Sequence, residues 1–312
     1  LGVAIADYPP ERLRCFNIAA NQYIILRFIL ILYYKFTEET RYGDSMIIRL
    51  VELGIEGSPT ENMHKFSEAA VIPPVPDAAV FPELYSTGFV LDDIDSLALS
   101  VEELSDLRVA STAREDSLWI IGGTVPVKTD DGVVNRMVVY SPEGTLAYQT
   151  DKVHIFKQMG EDRAFIPGKC AGTFPFMGTT GAGIVCYDLR FPELSRRLVL
   201  AGAEIIFVPA QWPGGRMELF RSLLRARAAE AQIFTVGCNL GGEHLGVIFG
   251  GSGGVAHPEG KMIKGHSVMQ GITDFKIDLT DAEEMRKYIN CLEDRRPQEY
   301  GTLSGREVTS DR

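Results

Sequence analysis

Residues 181–197 read GAGIVCYDLRFPELSRR. An apolar run, Gly183 to Val185, ends at Cys186. Asp188 and Arg190 follow, and Pro192 opens a helix at a position proline favours, where its missing N–H is no loss. The stretch reads as strand, turn, helix. A cysteine at such a turn is exposed at the strand end, and the amide of Tyr187 is placed to meet a developing oxyanion. Taken alone, a buried core cysteine is the commoner case. The polar residues around Cys186 shift the balance toward a nucleophile.

The same alternation extends outward. Apolar runs rich in Val, Ile and Phe, bounded by Gly, Pro and Asp, predict strands at Met46–Leu53, Ala78–Phe81, Leu118–Val127, Val133–Ser141, Ala182–Tyr187, Glu204–Pro209, Ile233–Asn239, Gly251–His257 and Met269–Ile277. Helical spacing of Met217, Phe220, Leu223, Leu224 and Arg227 predicts a helix over Gly215–Gln232, and Pro192–Leu200 reads as a second. Strands interleaved with helices indicate an α/β fold with helices on the sheet faces. MIIRLVEL, from Met46, is the first clean strand pattern, so the main domain is expected to span 46–300. Residues 1–45 read as an N-terminal extension and 301–312 as a polar tail. Within the extension, Tyr23–Phe36 (YIILRFILILYYKF) is strongly apolar but short of the ~20 apolar residues a membrane span needs, and Arg27 and Lys35 interrupt it. An extension or packed helix is the expectation, not a membrane anchor.

Among the 312 residues, 45% are hydrophobic and 23% charged, with a formal net charge of −11. A chain this size can bury a substantial core without disulfides or metals. Its acidity, without a basic run, gives no counterion-release gain on phosphate, so nucleic acid is not an expected partner. The five cysteines (15, 170, 186, 238 and 291) are scattered, odd in number and lack a CxxC pair. They suggest free thiols in a reducing, cytoplasmic setting rather than a disulfide framework. The five histidines form no HExxH or close pair, so no metal site is expected.

Three further segments carry candidate chemistry. In AAVFPELYSTGF (78–89), Pro82 stops a buried strand and presents Glu83 among Phe81, Tyr85 and Phe89. Partial desolvation there raises a carboxylate's pKa and makes it a better base; a capping or ion-paired carboxylate is the plainer alternative. In YQTDKVHIF (148–156), alternating Val153 and Ile155 suggest an extended segment with Lys152 and His154 on one face. From that segment alone Lys152 is one more surface lysine. Glu161, in GEDRAFIPG (160–168), likewise reads as a surface residue in a loop.

Together these segments resemble the nitrilase superfamily, the carbon–nitrogen hydrolases. The motifs FPE, K-x-H-I/L-F, GE-x-x-x-F-x-PG, CYD-x-RFPE and RARA-x-E-x-Q occur in the family's order and at compatible spacings from Met46 to about Tyr300. The resemblance implies a four-layer αββα sandwich, dimerisation, no cofactor, and a catalytic set of Glu83, Lys152 and Cys186 with Glu161 as an additional glutamate. The implied chemistry is hydrolysis of a small-molecule amide through a Cys thioester, with the Tyr187 amide in the oxyanion site. CYDLRFPELSRR and the later VPAQWPGGR (208–216) look most like the omega-amidase-like branch, whose members cleave small ω-amides of dicarboxylates. Trp212 and Phe89 are candidate pocket walls, and Arg216 a candidate partner for a substrate carboxylate. Packing for Trp212 and a surface helix-start charge for Arg216 are the plainer readings. A nitrilase, an N-carbamoyl hydrolase, or a silent binding protein of the same fold are the alternatives. The proline-rich stretch EAAVIPPVPD before Glu83 departs from the family pattern and leaves the end of the preceding helix open.

Overall fold

The computed structural model describes residues 45–169 and 171–300. The expectations for the extension before Ser45, for Cys15 and Cys170, and for the tail from 301 lie outside the described residues.

Fourteen strands and six α-helices are formed among the described residues. In chain order they are β1 Ser45–Val51, α1 Pro59–Ala70, β2 Ala78–Val80, α2 Ile94–Leu97, α3 Arg108–Asp116, β3 Trp119–Thr129, β4 Gly132–Tyr140, β5 Leu146–Asp151, β6 Thr173–Phe176, β7 Thr179–Gly183, α4 Pro192–Leu200, β8 Ile205–Ala210, α5 Met217–Ala231, β9 Phe234–Asn239, β10 Gly241–His244, β11 Val247–Gly250, β12 Gly254–Ala256, β13 His266–Met269, β14 Ile272–Asp278 and α6 Thr280–Tyr288.

Two sheets dominate: one of seven strands, ordered β13-β14-β1-β2-β3-β4-β5, and one of five, ordered β12-β9-β8-β7-β6. Period-two patterning decides how they stack. Met46, Ile48 and Leu50 of β1, Ala78 and Val80 of β2, and Met137 and Val139 of β4 enter one core with Ile206, Phe207 and Val208 of β8. Their neighbours Val51, Ala79, Val138 and Tyr140 face the other way, against Met63, Phe66 and Ala69 of α1 and Val109, Ala110 and Ala113 of α3. On the far side of the five-stranded sheet, Leu194 and Leu198 of α4 and Phe220 and Leu224 of α5 close the core. The layers are therefore helix, sheet, sheet, helix, the αββα sandwich expected. Gly237 lets α5 lie close: a Cβ there would stand 2.5 Å from Leu224 and 2.8 Å from Phe220.

Strand direction positions the site. β1, β2 and β3 are mutually parallel, and β5, antiparallel to β4, runs with β3. The C-terminal ends of β2 and β5 therefore share an edge. In the other sheet β7, β8 and β9 are parallel, and their C-terminal ends give rise to the Cys186 turn, Gln211 and Asn239. Ligand sites of parallel sheets gather at such ends.

Several boundaries differ from the sequence reading. β7 stops at Gly183, and Cys186–Arg190 is a 3-10 turn rather than strand. The strand predicted at 269–277 is β14, which starts only at Ile272; Gln270–Gly271 form a turn that joins it to β13, a short edge strand the sequence reading did not include. The short edge strands β5, β6, β10 and β11, with half-exposed or mixed patterns, carry too weak a periodicity to be read. The helix before Glu83 ends at Ala70, ahead of the prolines, with a capping box formed by Ser58 and Glu61 at its start. No helix among the described residues is long and apolar enough to cross a membrane.

Candidate active site

Glu83 lies in the turn after β2. Gly123 makes room for that turn. It sits in a register shift of β3 at φ +57°, and a Cβ there would meet the Pro82 carbonyl at 2.0 Å. Thr124 then accepts the Leu84 N–H at 2.7 Å, fixing a residue held at φ +44°. The Glu83 side chain is wholly enclosed.

Lys152 is the first residue after β5, its N–H bonded to the Asn135 carbonyl at 2.9 Å. Its ammonium is 2.8 Å from Glu83 Oε1, and 2.8 and 2.9 Å from the two oxygens of Glu161. The Phe89 ring centroid is 5.7 Å from Nζ. Glu161, read as a surface residue from its own segment, is fully buried. The positive φ of Gly160 turns the chain inward, and Glu161 Oε2 also accepts the Phe156 N–H at 2.7 Å. Asn135 of β4 completes the cluster, donating to Glu83 Oε1 at 2.9 Å.

Burying two carboxylates and one ammonium is costly unless each is paired. Here the pairing shapes the proton affinities. Burial raises the pKa of Glu83 above its ordinary value; Lys152 opposes this and Glu161 reinforces it. Burial would lower Lys152, but Glu83, Cys186 and Glu161 outweigh it, so the ammonium is held charged. Burial, then the Glu83 charge, pushes the Cys186 thiol well up, with Lys152 opposing.

Cys186 adopts φ +48°, an unusual conformation for a residue with a Cβ. One buried side chain spans this turn and the Lys152 segment. Asp188 accepts from Val185 N (3.0 Å) ahead of the cysteine, and from Val153 N (3.3 Å), His154 N (2.8 Å) and His154 Nδ1 (2.7 Å) behind the lysine. His154 stacks on Phe191, centroids 3.6 Å apart. Arg227 of α5 donates to the Leu189 carbonyl at 3.0 Å from the other side. Lys152 and His154 thus do not share a strand face: the strand stops at Asp151, and the two side chains have separate partners.

A cavity of about 500 Å³ opens over Cys186 and Lys152, lined also by Phe89, Tyr187, Gln211 and Trp212. Arg190 and Arg216 line its solvent side. The Arg190 guanidinium lies 5.0 Å from the Trp212 ring centroid. Trp212 is clamped by Asn239, whose Oδ1 accepts its N–H at 2.6 Å and whose Nδ2 donates to its carbonyl at 3.0 Å. A thiol beside a desolvated carboxylate and a fixed ammonium, facing a cavity, is suited to nucleophilic acyl transfer.

Residues 60–287 match the family model described as carbon-nitrogen hydrolase. The chain belongs to the carbon–nitrogen hydrolase family. It is 33% identical to the 2-oxoglutaramate amidase of Bacillus subtilis (strain 168) over 247 residues, covering 78% of this chain and 95% of that protein. It is 30% identical to omega-amidase YafV of Escherichia coli (strain K12) over 220 residues, 70% of this chain and 84% of that one. In fold it is similar to a carbon-nitrogen hydrolase from Helicobacter pylori G27, with a TM-score of 0.76 at 21% identity, covering 84% of this chain and 99% of that one. This carbon–nitrogen hydrolase falls in the omega-amidase-like branch of the nitrilase superfamily and is an amidase.

Of the residues singled out in this carbon–nitrogen hydrolase's sequence, Glu83, Lys152 and Glu161 are brought together directly, and Cys186, Tyr187, Phe89, Trp212 and Arg216 line the one cavity with Lys152. Asn135, Arg190, Gln211 and Asn239 were not legible. Arg190, Gln211 and Asn239 lie at the end of a strand or turn, where a polar residue looks like an ordinary terminator, and Asn135 is one polar residue inside β4; of these only Arg190, in the CYDLR motif, carried a usable signal.

Proposed function

We propose that the protein hydrolyses the ω-amide of a small dicarboxylate to the acid and ammonia, with Cys186 as nucleophile. One observation carries the substrate class. In a chain of net charge −11, the described residues that line the cavity include three cations, Lys152, Arg190 and Arg216, and no Asp or Glu. Lys152 is committed to the two glutamates at the buried end. Neither arginine has a carboxylate partner among the described residues, so both are free to hold a distal substrate carboxylate.

In this reading Glu83 takes the Cys186 proton as sulfur bonds to the amide carbon. A thiol held neutral by burial needs that transfer to accompany the attack, and a carboxylate of raised pKa is the better match for it. Lys152 and the Tyr187 amide stabilise the oxyanion. Glu83 returns the proton to nitrogen, the C–N bond breaks, and ammonia leaves. Water, deprotonated by Glu83, then attacks the thioester; the acid departs and sulfur recovers its proton. Glu161 keeps Lys152 charged and oriented. The free thiol this requires suits a reducing, cytoplasmic setting, and by resemblance the unit is a homodimer or larger homo-oligomer, which light scattering at micromolar concentration checks.

The test is ammonia release from a panel of ω-amides, matched neutral amides, nitriles and N-carbamoyl amines. The acidic ω-amide is expected to give the highest kcat/KM and Cys186→Ala to abolish it. Preference for a nitrile or carbamoyl substrate, or unchanged turnover in Cys186→Ala, overturns the reading.

A further inference from the structure

Gln211, the residue after β8, is 4% exposed and touches the site in two ways. Its backbone N–H lies near enough to the Cys186 sulfur to lower the thiol's pKa, against the larger effect of burial. Its Nε2 donates to the Glu83 carbonyl at 2.6 Å. Only the NH2 end of the side chain can make that second bond, which fixes the orientation of the amide. The end left over is Oε1, which is buried and has no hydrogen-bond partner among the described residues. A buried amide oxygen in that state is unfavourable and asks for an explanation.

The cavity lining supplies one. Phe89, Phe156, Met159, Trp212 and Pro213 offer no strong side-chain acceptor, Lys152, Arg190 and Arg216 are donors only, and the Tyr187 hydroxyl, which can accept, belongs to a half-exposed side chain rather than an enclosed one. Gln158 also lines the cavity but is exposed, while Gln211 is enclosed beside Cys186. A primary carboxamide brings N–H groups to this place that need acceptors. Glu83 must address the nitrogen to protonate it, and a second N–H is left over.

We propose that Gln211 Oε1 accepts an N–H of the scissile carboxamide and so selects amides over esters of the same acid; this rests on the amidase reading above. In an ester the same position is an acceptor-only oxygen. It would face Gln211 Oε1 without a proton between them, and both would be left unpaired. Sites built to bond a substrate N–H discriminate strongly for this reason.

The experiment measures kcat/KM for a primary ω-amide and for the methyl ester of the same acid, in the wild type, Gln211→Met and Gln211→Glu. The readout is the amide-to-ester ratio, which a misfolded fraction leaves unchanged because it lowers both rates alike. Gln211→Met keeps the volume and removes the acceptor, and should lower the ratio about 10- to 100-fold. Gln211→Glu keeps an acceptor and should hold the ratio within a few-fold of wild type. A Gln211→Met ratio matching wild type, with both rates reduced together, overturns the proposal, since that is the behaviour of a residue that only holds Glu83 through its carbonyl. Loss of the ratio in Gln211→Glu as complete as in Gln211→Met overturns it as well. A wild type inactive on amides strikes the amidase reading instead.

Discussion

Lys152 and Glu83, 69 positions apart in the chain, form an ion pair at 2.8 Å with the lysine side chain 1% exposed and the glutamate 0%. A pair so enclosed is poor evidence for stability in itself, yet removing one partner leaves the other charge stranded. Lys152→Ala strands two carboxylates. It should destabilise the fold by about 3–5 kcal/mol at neutral pH, and slow acylation about 10²- to 10³-fold. Urea unfolding and single-turnover ammonia release check the two effects separately. A variant as stable as wild type would show that the carboxylates are not charged together.

The same cluster gives a pH signature. Glu83 must be ionised to act as a base, and burial raises its pKa, so the acid limb of kcat/KM should lie above the ordinary glutamate range. Glu161 contributes to that rise by like-charge repulsion. Glu161→Gln removes the repulsion, so the acid limb should move to lower pH even as the maximal rate falls. A limb that stays in place or moves up contradicts the assignment of Glu83 as the base.

Glu52, outside the site, controls stability against pH. It follows β1, is buried, and accepts N–H groups from Asn239 (2.9 Å) and Gly253 (2.8 Å). Burial is the dominant cause of a pKa raised from 4.5 to about 7. The folded state therefore keeps a proton that the unfolded chain has released. The stabilisation is full below pH 4.5, declines as pH rises, and is gone above about 7. A shift of that size is worth roughly 3 kcal/mol. Glu52→Gln should flatten this part of the stability profile, read by urea midpoints at pH 5 and pH 7.5.

Asp188 is a positioning residue, with hydrogen bonds on both sides of the cluster. Asp188→Asn introduces an NH2 where four donors converge. It should lower kcat about tenfold or more while KM for the amide changes little, because the cavity walls are untouched and the register of Cys186 against Lys152 is not. A loss carried wholly by KM would instead assign Asp188 to substrate binding.

Arg216→Ala and Arg190→Ala should each reduce kcat/KM for an acidic ω-amide, with the double variant worst. A charge-assisted pair in a desolvated pocket is worth about 2–5 kcal/mol; these exposed arginines should fall at or below the lower end, tens-fold in rate. A neutral amide of equal size should be barely affected. Equal losses on both substrates would remove the basis for the carboxylate preference.

By itself the sequence determined the alternation of strands and helices, while the four-layer order and the candidate groups were what its resemblance to the nitrilase superfamily implied. Period-two runs such as Met46–Val51 and helical spacing such as Met217–Leu224 are local consequences of which face is buried, so they survive in one dimension. Motif order then named Glu83, Lys152, Glu161 and Cys186. What only the tertiary structure decided is the state of those groups. Glu161 and Lys152 look like surface charges in their own segments, and each is buried because the other fills its hydrogen-bonding capacity. Burial is a property of that pairing, as is the charge held on Lys152, and no single segment contains it. The same holds for Asn135, Asp188 and Gln211, ordinary polar residues along the chain that acquire their roles where two sheets bring strand ends together. Local propensity records what a residue prefers, while the dielectric and partners that fix its chemistry come from residues distant in the chain.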